Sequence, residues 1–450
     1  MIRSSVRAEE EALLQGLRPH LRPLAGAAAD DPELIARLGR ARFALLGEAS
    51  HGTHEFYAER VALSRKLITE HGFNALVLEA DWPDAWRVNR YIRGASDDGD
   101  AEAALSGFRR FPTWMWCNTV IVEFVEWLRE HNAGRPPSGQ VGFYGMDLYS
   151  LYGSIAAVLQ YLDGVDPEAA QRARSRYGCF DHYGEDSQAY GYAASFGMKA
   201  TCEDEVIQQL REMNRRAGEL MAAGSSEDRA EVFYAQQNAR LVRNAEEYYR
   251  TMFHGRVSSW NLRDSHMVET LQALEKHLTA LTGCGRLVVW AHNSHLGDAS
   301  ATEMGDLGEW NVGQLARDHW GDAALLVGFS THHGTVTAAS EWDAPAQRKR
   351  VRPGLEGSYE ALFHQAGERF WLPLAGNAAL GELLREKRLQ RAIGVIYLPQ
   401  SERLSHYFHT RLPAQFDAMI HIDETRALQP LVAEPAWHQG EPAETYPSGL

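Results

Sequence analysis

Histidine and carboxylate residues suited to acid–base chemistry follow several short apolar runs of this chain. The segment Gly47–Gly52 contains Glu48 and His51, a carboxylate three residues before an imidazole. Histidine titrates near neutral pH and is the usual general base of enzymes, and a neighbouring carboxylate fixes its tautomer. Glu79 and His292 follow two later apolar runs. The residue types therefore predict an acid–base site in which His51 is the base and Glu48 or Glu79 orients it.

Two further side chains offer positive charge or hydrogen bonds to a developing oxyanion. Arg60 lies nine residues beyond His51, and His292 follows a later apolar run. Donors aimed at the charge that develops in a transition state contribute strongly to acyl-transfer catalysis. We expect His51, Glu48, Glu79, His292 and Arg60 to form the catalytic group.

Parallel strands are the elements that must position these residues. Short runs rich in β-branched and aromatic residues alternate with helical sequence, which predicts an α/β fold with a mainly parallel sheet flanked by helices. The predicted strands are 42–47, 75–78, 141–144, 286–290, 323–327 and 392–397. Glu48, Glu79, Asp147 and His292 follow four of them, at the edge where an open parallel sheet binds ligands. We expect all four to line one cleft.

The part of the chain between the third and fourth predicted strands has a different character. It is long, charged and amphipathic, with predicted helices at 203–223, 227–252 and 261–281. We predict that 155–281 is a helical insertion that forms a wall of the cleft. The α/β catalytic core then comprises 31–154 and 282–431, preceded by a helical or frayed segment 1–30 and followed by a tail 432–450.

A serine nucleophile is the first alternative to consider, because Ser50 stands beside His51 in a glycine-flanked turn. The segment is not G-x-S-x-G, and that motif occurs nowhere in the chain. We expect Ser50 to be a turn residue.

A metal site is the second alternative. His51 and His54, and likewise His292 and His295, show H-x-x-H spacing, which brings two rings close together on a helical turn. The chain has no H-E-x-x-H motif. We expect no metal and no other cofactor, while a metal-dependent hydrolase with His51, His292 and the glutamates as ligands stays open.

Substrate contacts are expected from a second group of residues, which comprises His295, Asp147, Trp114 and Trp116. The two tryptophans lie in Phe111–Trp116, which either lines an apolar pocket or packs in the core, and Asp147 either binds substrate or caps a helix. Arg263 and Asp264 open a predicted helix, and we expect them to form a structural ion pair with each other.

Composition bears on partners and location. The 450 residues include 45 Lys and Arg against 60 Asp and Glu, a net charge of −15. Such a surface repels phosphate backbones and anionic lipid, so we expect neither nucleic-acid nor membrane binding. The basic stretch 348–352 is expected to be a solvated loop. The start lacks a signal-type apolar run and no later run could span a bilayer, which favours a cytoplasmic protein. The four cysteines form no C-x-x-C pair, and we expect free thiols.

Several motifs together resemble the erythromycin esterase family. They are Gly47–Gly52, Arg60, Leu78–Trp82, Tyr144–Asp147, Trp290–His295 and Gln415–Asp423, which occur in order between about residues 40 and 430. The resemblance implies an α/β core with helical additions and hydrolysis of a macrolactone ester without a serine nucleophile. It also implies that His51 is the general base, that Glu48 and Glu79 orient it, and that Arg60 and His292, with His295, complete the site.

The function expected from the sequence is therefore the opening of a small-molecule ester or lactone by water that His51 activates. The alternatives are the metal-dependent hydrolase and a non-catalytic or biosynthetic accessory protein that keeps the same cleft. The sequence does not determine the substrate or the oligomeric state.

Overall fold

A central eight-stranded sheet organises the fold, in a computed structural model that describes residues 2–221, 226–433 and 437. The strands of the structure are β1 (Arg22–Pro23), β2 (Phe43–Leu46), β3 (Ala75–Asp81), β4 (Gly142–Asp147), β5 (Leu287–Trp290), β6 (Ala324–Ser330), β7 (His333–Ala338), β8 (Gln347–Val351), β9 (Arg369–Pro373), β10 (Arg388–Arg391), β11 (Tyr407–Thr410), β12 (Ala418–Ile422) and β13 (Glu424–Thr425).

Helices cover the sheet and form most of the remaining structure. They are α1 (Ile2–Leu17), α2 (Pro32–Leu38), α3 (His54–His71), α4 (Trp82–Ile92), α5 (Ala101–Leu105), α6 (Thr119–Asn132), α7 (Leu151–Val165), α8 (Pro167–Tyr177), α9 (Ser187–Ser195), α10 (Glu203–Met221), α11 (Ser226–Thr251), α12 (Arg256–Thr282), α13 (Asn293–Leu296), α14 (Glu303–Asp306), α15 (Val312–Trp320), α16 (Tyr359–Ala366), α17 (Ala378–Leu383), α18 (Glu402–Ser405) and α19 (Leu412–Gln415). Among the described residues, none of these helices has both the length and the apolarity that a bilayer crossing requires.

The strand order of the large sheet is β1-β9-β12-β6-β2-β5-β3-β4. All neighbours from β12 to β4 pair in parallel, whereas β9 runs antiparallel to β12 and β1 antiparallel to β9. This arrangement confirms the predicted α/β class with a mainly parallel sheet. It also brings the carboxyl ends of β2, β3, β4 and β5 to one edge, because these four strands are neighbours.

Both faces of the sheet are buried, which explains why its strands are continuously apolar. In β2, Phe43 and Leu45 pack in the apolar cluster on one face, and Ala44 and Leu46 pack in the cluster on the other. Side chains alternate along a strand, so a strand covered by helices on both faces needs an apolar residue at every position.

Helices α7 to α12 lie between β4 and β5 in the chain. The first turns of α12 reach the carboxyl edge of the sheet, where Arg256, Trp260 and Arg263 line a cavity. The helical insertion therefore supplies a wall of the cleft. At the amino end, α1 packs against α16 and α17 through the buried residues Leu14 and Leu17.

The predicted strand at 392–397 is wrong, and three strands of the sheet, β1, β9 and β12, were not predicted. The segment has strand-like composition, but its backbone pairs with loops: the Ile393 N–H donates to the Ala49 carbonyl at 2.8 Å, and the His51 N–H donates to the Ile393 carbonyl at 3.3 Å. The segment therefore supports the loop that carries His51.

Two smaller expectations are also corrected. The basic stretch 348–352 is not a solvated loop, because most of it forms β8, in which Lys349 and Val351 are buried. Cys179 and Cys202 form a disulfide, with their Cα atoms 5.9 Å apart, whereas Cys117 and Cys284 are free. Folding of the insertion brings together two cysteines that are 23 residues apart, and sequence spacing could not reveal this proximity.

Gly52 allows a close approach of two backbones beside His51. The Gly52 carbonyl accepts hydrogen bonds from the Thr337 N–H at 2.9 Å and the Leu428 N–H at 2.8 Å. A Cβ at position 52 would overlap the carbonyl oxygen of Thr337. Only glycine fits there without displacing β7 from the His51 loop.

We predict that Gly52→Ala lowers the free energy of unfolding by about 1–3 kcal/mol or more, because the new methyl group must push backbone aside. Gly218→Ala, on the exposed side of α10 with open space around the glycine, is the matched control. It should be neutral or stabilising by up to about 1 kcal/mol, because alanine favours a helix. Urea unfolding measures both, and equal effects would contradict the proposed backbone contact.

Candidate active site

A cavity of about 520 Å³ opens at the carboxyl edge of the sheet. Its wall includes His51, Glu79, Asp147, His292 and His295. The structure thus brings together residues from the carboxyl ends of β3 and β4 and from the segments after β2 and β5, as parallel neighbours require. Glu48, which was expected to line the same cleft, is buried behind the wall. The volume lies within the range of small-molecule sites.

His51 is held by Glu48. The His51 Nδ1 lies 3.0 Å from Glu48 Oε1, and the Tyr57 hydroxyl donates to the His51 carbonyl at 3.0 Å. Because an ionised carboxylate only accepts hydrogen bonds, the proton of a neutral His51 is on Nδ1. The lone pair is then on Nε2, the atom that can take a proton from water.

Arg60 holds the other oxygen of Glu48. Its Nη2 donates to Glu48 Oε2 at 2.7 Å, and its guanidinium lies 4.4 Å from the Tyr57 ring centroid and 4.7 Å from that of Trp290. Arg60 is fully buried and is not part of the cavity wall. The expectation that Arg60 contacts a developing oxyanion is therefore wrong, and its contact with Glu48 makes it a positioning residue.

His292 lies on the cavity wall, and the hydrogen bonds of its ring fix its tautomer. The Ser294 N–H donates to His292 Nδ1 at 3.2 Å, so this nitrogen is unprotonated and the proton is on Nε2. Nε2 is buried and makes no hydrogen bond of normal geometry among the described residues. Burial, and then the nearby His51, lower the pKa of His292 to about 3, although a contact with the Ala49 backbone raises it slightly against these stronger effects. The ring is neutral at ordinary pH and offers one N–H donor, 4.9 Å from the His51 ring between centroids.

Glu79 contacts the backbone of His292 rather than the ring of His51. Its Oε2 accepts the His292 N–H at 2.9 Å, and its Oε1 accepts from Arg263 Nη2 at 2.8 Å. Burial raises the pKa of Glu79, but His295, His51, Arg263 and the His292 N–H together lower it well below its usual value. Glu79 is therefore a permanent negative charge beside both histidines, and Glu48 is the carboxylate that orients His51.

Arg263 and Asp264 do not pair with each other, contrary to the expectation from their adjacency. Arg263 donates from Nε and Nη2 to the two oxygens of Asp147, at 2.9 and 2.7 Å. Asp264 instead accepts from His295 Nδ1 at 2.9 Å. Successive residues of a helix point in different directions. Arg263 therefore reaches the end of β4, whereas Asp264 reaches His295 on α13.

Asp147 and His295, which were predicted to contact substrate, both take part in these hydrogen bonds with Arg263 and Asp264. Both lie on the cavity wall. Asp147 also accepts the Leu148 N–H at 2.8 Å, and the His295 ring stacks on Trp260 with centroids 4.5 Å apart. Burial lowers the pKa of His295, but Asp264 and Glu79 raise it more, so the net shift is upward.

The two predicted tryptophans differ in position. Trp116 lies on the cavity wall together with Phe111. Trp114 is not part of the wall; it is buried and packs edge-on against Phe111, with centroids 5.4 Å apart. Trp114 therefore supports the wall from behind.

Ser50 is a buried turn residue outside the cavity wall, and its hydroxyl contacts that of Thr53. The H-x-x-H pairs do not converge either. His54 hydrogen bonds to Arg426 Nη2 at 2.7 Å, and both ring nitrogens of His295 contact protein groups. Within residues 2–221 and 226–433, the group of histidines and carboxylates whose atoms come close enough to hold a metal lies elsewhere, outside the cavity wall.

Several other wall residues were not predicted as site residues; they include Asp81, Asp84, Arg110, Tyr149, Trp260 and Trp342. Burial raises the pKa of Asp81 to about 6, although its partner Arg110 opposes this shift. Burial and the neighbouring Asp81 raise the pKa of Asp84 to about 7. Both aspartates lie shortly after the second predicted strand, 75–78, and this position could have identified them as candidates for the site.

Comparisons with known proteins agree with this architecture. The erythromycin esterase family model matches residues 68–425, a span that begins after Glu48 and His51. YbfO of Bacillus subtilis, which is named as an inferred hydrolase, is 24% identical over 385 residues, which cover 81% of this chain and 82% of YbfO. Erythromycin esterase type II of Escherichia coli is 23% identical over 317 residues, 67% of this chain and 71% of that protein.

Solved structures show the same fold. A succinoglycan biosynthesis protein superposes with a TM-score of 0.72 at 20% identity, over 93% of this chain and 98% of that chain. A histidine-to-asparagine mutant of erythromycin esterase EreC in its open conformation gives a TM-score of 0.64 at 17% identity, over 90% of this chain and 94% of that chain. Because the family model matches well over half of the sequence, the protein belongs to the erythromycin esterase family.

Proposed function

We propose that this protein opens an ester or macrolactone by direct attack of water that His51 activates. The observation that carries the proposal is a pair of contacts, of Glu48 Oε1 with His51 Nδ1 and of the Ser294 N–H with His292 Nδ1. From them we infer that a neutral His51 carries its proton on Nδ1 and that His292 carries its proton on Nε2. One ring therefore supplies a base and the other a hydrogen-bond donor. Family membership and the relatives named as hydrolases support hydrolysis.

In this mechanism, His51 Nε2 removes a proton from water as the water oxygen attacks the substrate carbonyl carbon. The resulting imidazolium is stabilised by Glu48, and Glu79 adds negative charge nearby. The carbonyl oxygen becomes an oxyanion, which accepts a hydrogen bond from His292 Nε2–H. Collapse of the tetrahedral intermediate breaks the ester C–O bond, and the imidazolium returns its proton to the leaving alkoxide. The products are a carboxylic acid and an alcohol.

The walls of the cavity fit a partly apolar small molecule. Phe111, Trp116 and Trp342 provide aromatic surface, and Asp81 and Asp84 lie beside it. Aromatic surface with a few polar groups is typical of small-molecule sites. An ester or lactone with a large apolar body, such as a macrolide, is the substrate class that we propose.

The first test compares His51→Ala with Ser50→Ala, on erythromycin and a panel of simpler esters and lactones followed by mass spectrometry. His51→Ala should lower kcat by about 10²- to 10⁴-fold, the usual contribution of a general base. Ser50→Ala should keep substantial activity, because its hydroxyl is buried against Thr53.

Labelling separates the direct-water mechanism from a covalent one. In heavy-oxygen water, a single turnover should place the label in the acid product and leave no acyl group on the protein. An acylated Ser50, or equal losses in the two variants, would contradict direct attack by water. If the wild type and His51→Ala gave the same hydrolysis rate on every compound of the panel, the proposed function would be refuted.

The second test concerns His292. His292→Ala should lower kcat by about 10²- to 10³-fold, as expected for loss of one oxyanion donor. Because the pKa of His292 is lowered to about 3, its ring is neutral throughout pH 5–9. The ratio of wild-type to variant kcat should therefore stay constant over that range. His54→Ala, at the surface beside Arg426, is the matched control and should retain activity. A ratio that changes tenfold with pH would mean that His292 acts through its charge.

A further inference from the structure

Three histidines and an aspartate converge at a place that is separate from the catalytic cavity. His332 lies in the turn after β6, His333 begins β7, His364 lies on α16, and Asp423 lies between β12 and β13. Each offers one ligand atom, and these atoms all lie within 4.8 Å of one another. None of the four is part of the cavity wall.

The distances among these atoms suit a tetrahedral zinc ion. His332 Nδ1 and His333 Nδ1 are 3.1 Å apart, His364 Nδ1 is 2.9 Å from Asp423 Oδ1, and His333 Nδ1 is 3.9 Å from Asp423 Oδ2. Zinc–nitrogen bonds of about 2.0–2.1 Å in a tetrahedron require ligand atoms about 3.4 Å apart. The observed separations lie on both sides of that value, so small side-chain rotations would complete the coordination.

The backbone fixes the segments that carry these side chains. The N–H groups of His332 and His333 both donate to the Asp423 carbonyl, at 3.0 and 3.1 Å, and Arg391 donates to the His332 carbonyl at 3.0 Å. The turn and the end of β12 therefore hold His332, His333 and Asp423 together without any ion. Such preorganisation lowers the cost of bringing ligands into place.

Further contacts hold these side chains in place, both from His421 and between the rings themselves. His421 is buried, its Nε2 lies 3.4 Å from Asp423 Oδ1, and its Nδ1 lies 2.8 Å from Ser330 Oγ. The His332 and His364 rings stack with centroids 3.8 Å apart. In metal sites, groups that do not bind the ion usually hydrogen bond to the ligating carboxylates and imidazoles, as His421 can do to Asp423.

We propose that His332, His333, His364 and Asp423 form a structural zinc site. Three imidazoles and one carboxylate are a donor set that zinc favours, and four protein ligands are typical of a structural rather than a catalytic site. Asp423 is 9% exposed and His364 is exposed, so an ion can enter from solvent. The ion would join β6, α16 and β12 where these elements come together.

The test uses zinc chloride with the tag-free full chain, after chelator treatment and dialysis. Calorimetry should show one zinc per chain, and zinc should raise the Tm by a few degrees, because it binds only the folded state. His364→Ala should weaken zinc binding by about 100-fold or more and remove the Tm increase. Because His364 is exposed, this variant should fold normally. Asp423→Asn should act in the same direction.

Two controls locate the ion. His319→Ala, an exposed histidine on α15, and His51→Ala should both bind zinc like the wild type. Chelation should lower the Tm but leave kcat unchanged well below the Tm, because the proposed site is outside the cavity. Absence of zinc binding, or equal binding in His364→Ala, Asp423→Asn and the wild type, would overturn the proposal. Zinc-dependent turnover that survives in His364→Ala would place the metal at the catalytic histidines and would also refute the metal-free mechanism.

Discussion

The buried carboxylate of Glu48 is the constraint on which the site depends. A charge removed from water is costly unless it is paired and hydrogen-bonded. Glu48 is fully buried, and its two oxygens are shared between Arg60 and His51. Arg60 is itself buried and contacts two aromatic rings. Removing either charge would leave the other buried without its partner. The ion pair thus fixes the His51 ring, and the cost of burying it is offset by the packing of α3 on the sheet.

A second charged network connects the helical insertion to the sheet. Arg263 on α12 contacts Asp147 at the end of β4 and Glu79 near the end of β3. Glu79 in turn accepts the backbone N–H of His292 after β5. Arg263 thus bonds to the ends of two strands and is linked through Glu79 to the segment after β5, which makes the insertion part of the cavity wall rather than a cover over it.

The proposed catalytic and zinc sites use different ways of placing histidines. At the cavity, each of His51 and His292 has one nitrogen held by protein and the other left for chemistry. At the second cluster, His332 and His333 are adjacent at the start of β7, their Nδ1 atoms are close to each other, and His333 also faces the Asp423 carboxylate. The first arrangement suits proton transfer and hydrogen bonding, and the second suits a shared cation. The H-x-x-H spacing left a metal at His51 and His292 open, but the nitrogens of His54 and His295 contact other protein groups, and ligand atoms must converge in space.

The sequence by itself determined the fold class and the positions of the main catalytic candidates. Apolar strands alternating with helices specify a parallel sheet, and parallel neighbours bring Glu48, Glu79 and His292 to one edge whatever the details of packing. Tertiary structure alone decided which carboxylate holds His51, why Arg60 lies behind the site, and that Arg263 belongs to it. It also decided that 392–397 supports a loop instead of joining the sheet. The contacts of Arg263 and of 392–397 join residues far apart in the chain, where local periodicity and composition carry no information about which partners meet. The choice of Glu48 rather than Glu79 depends on side-chain direction, which the spacing of the residues does not determine.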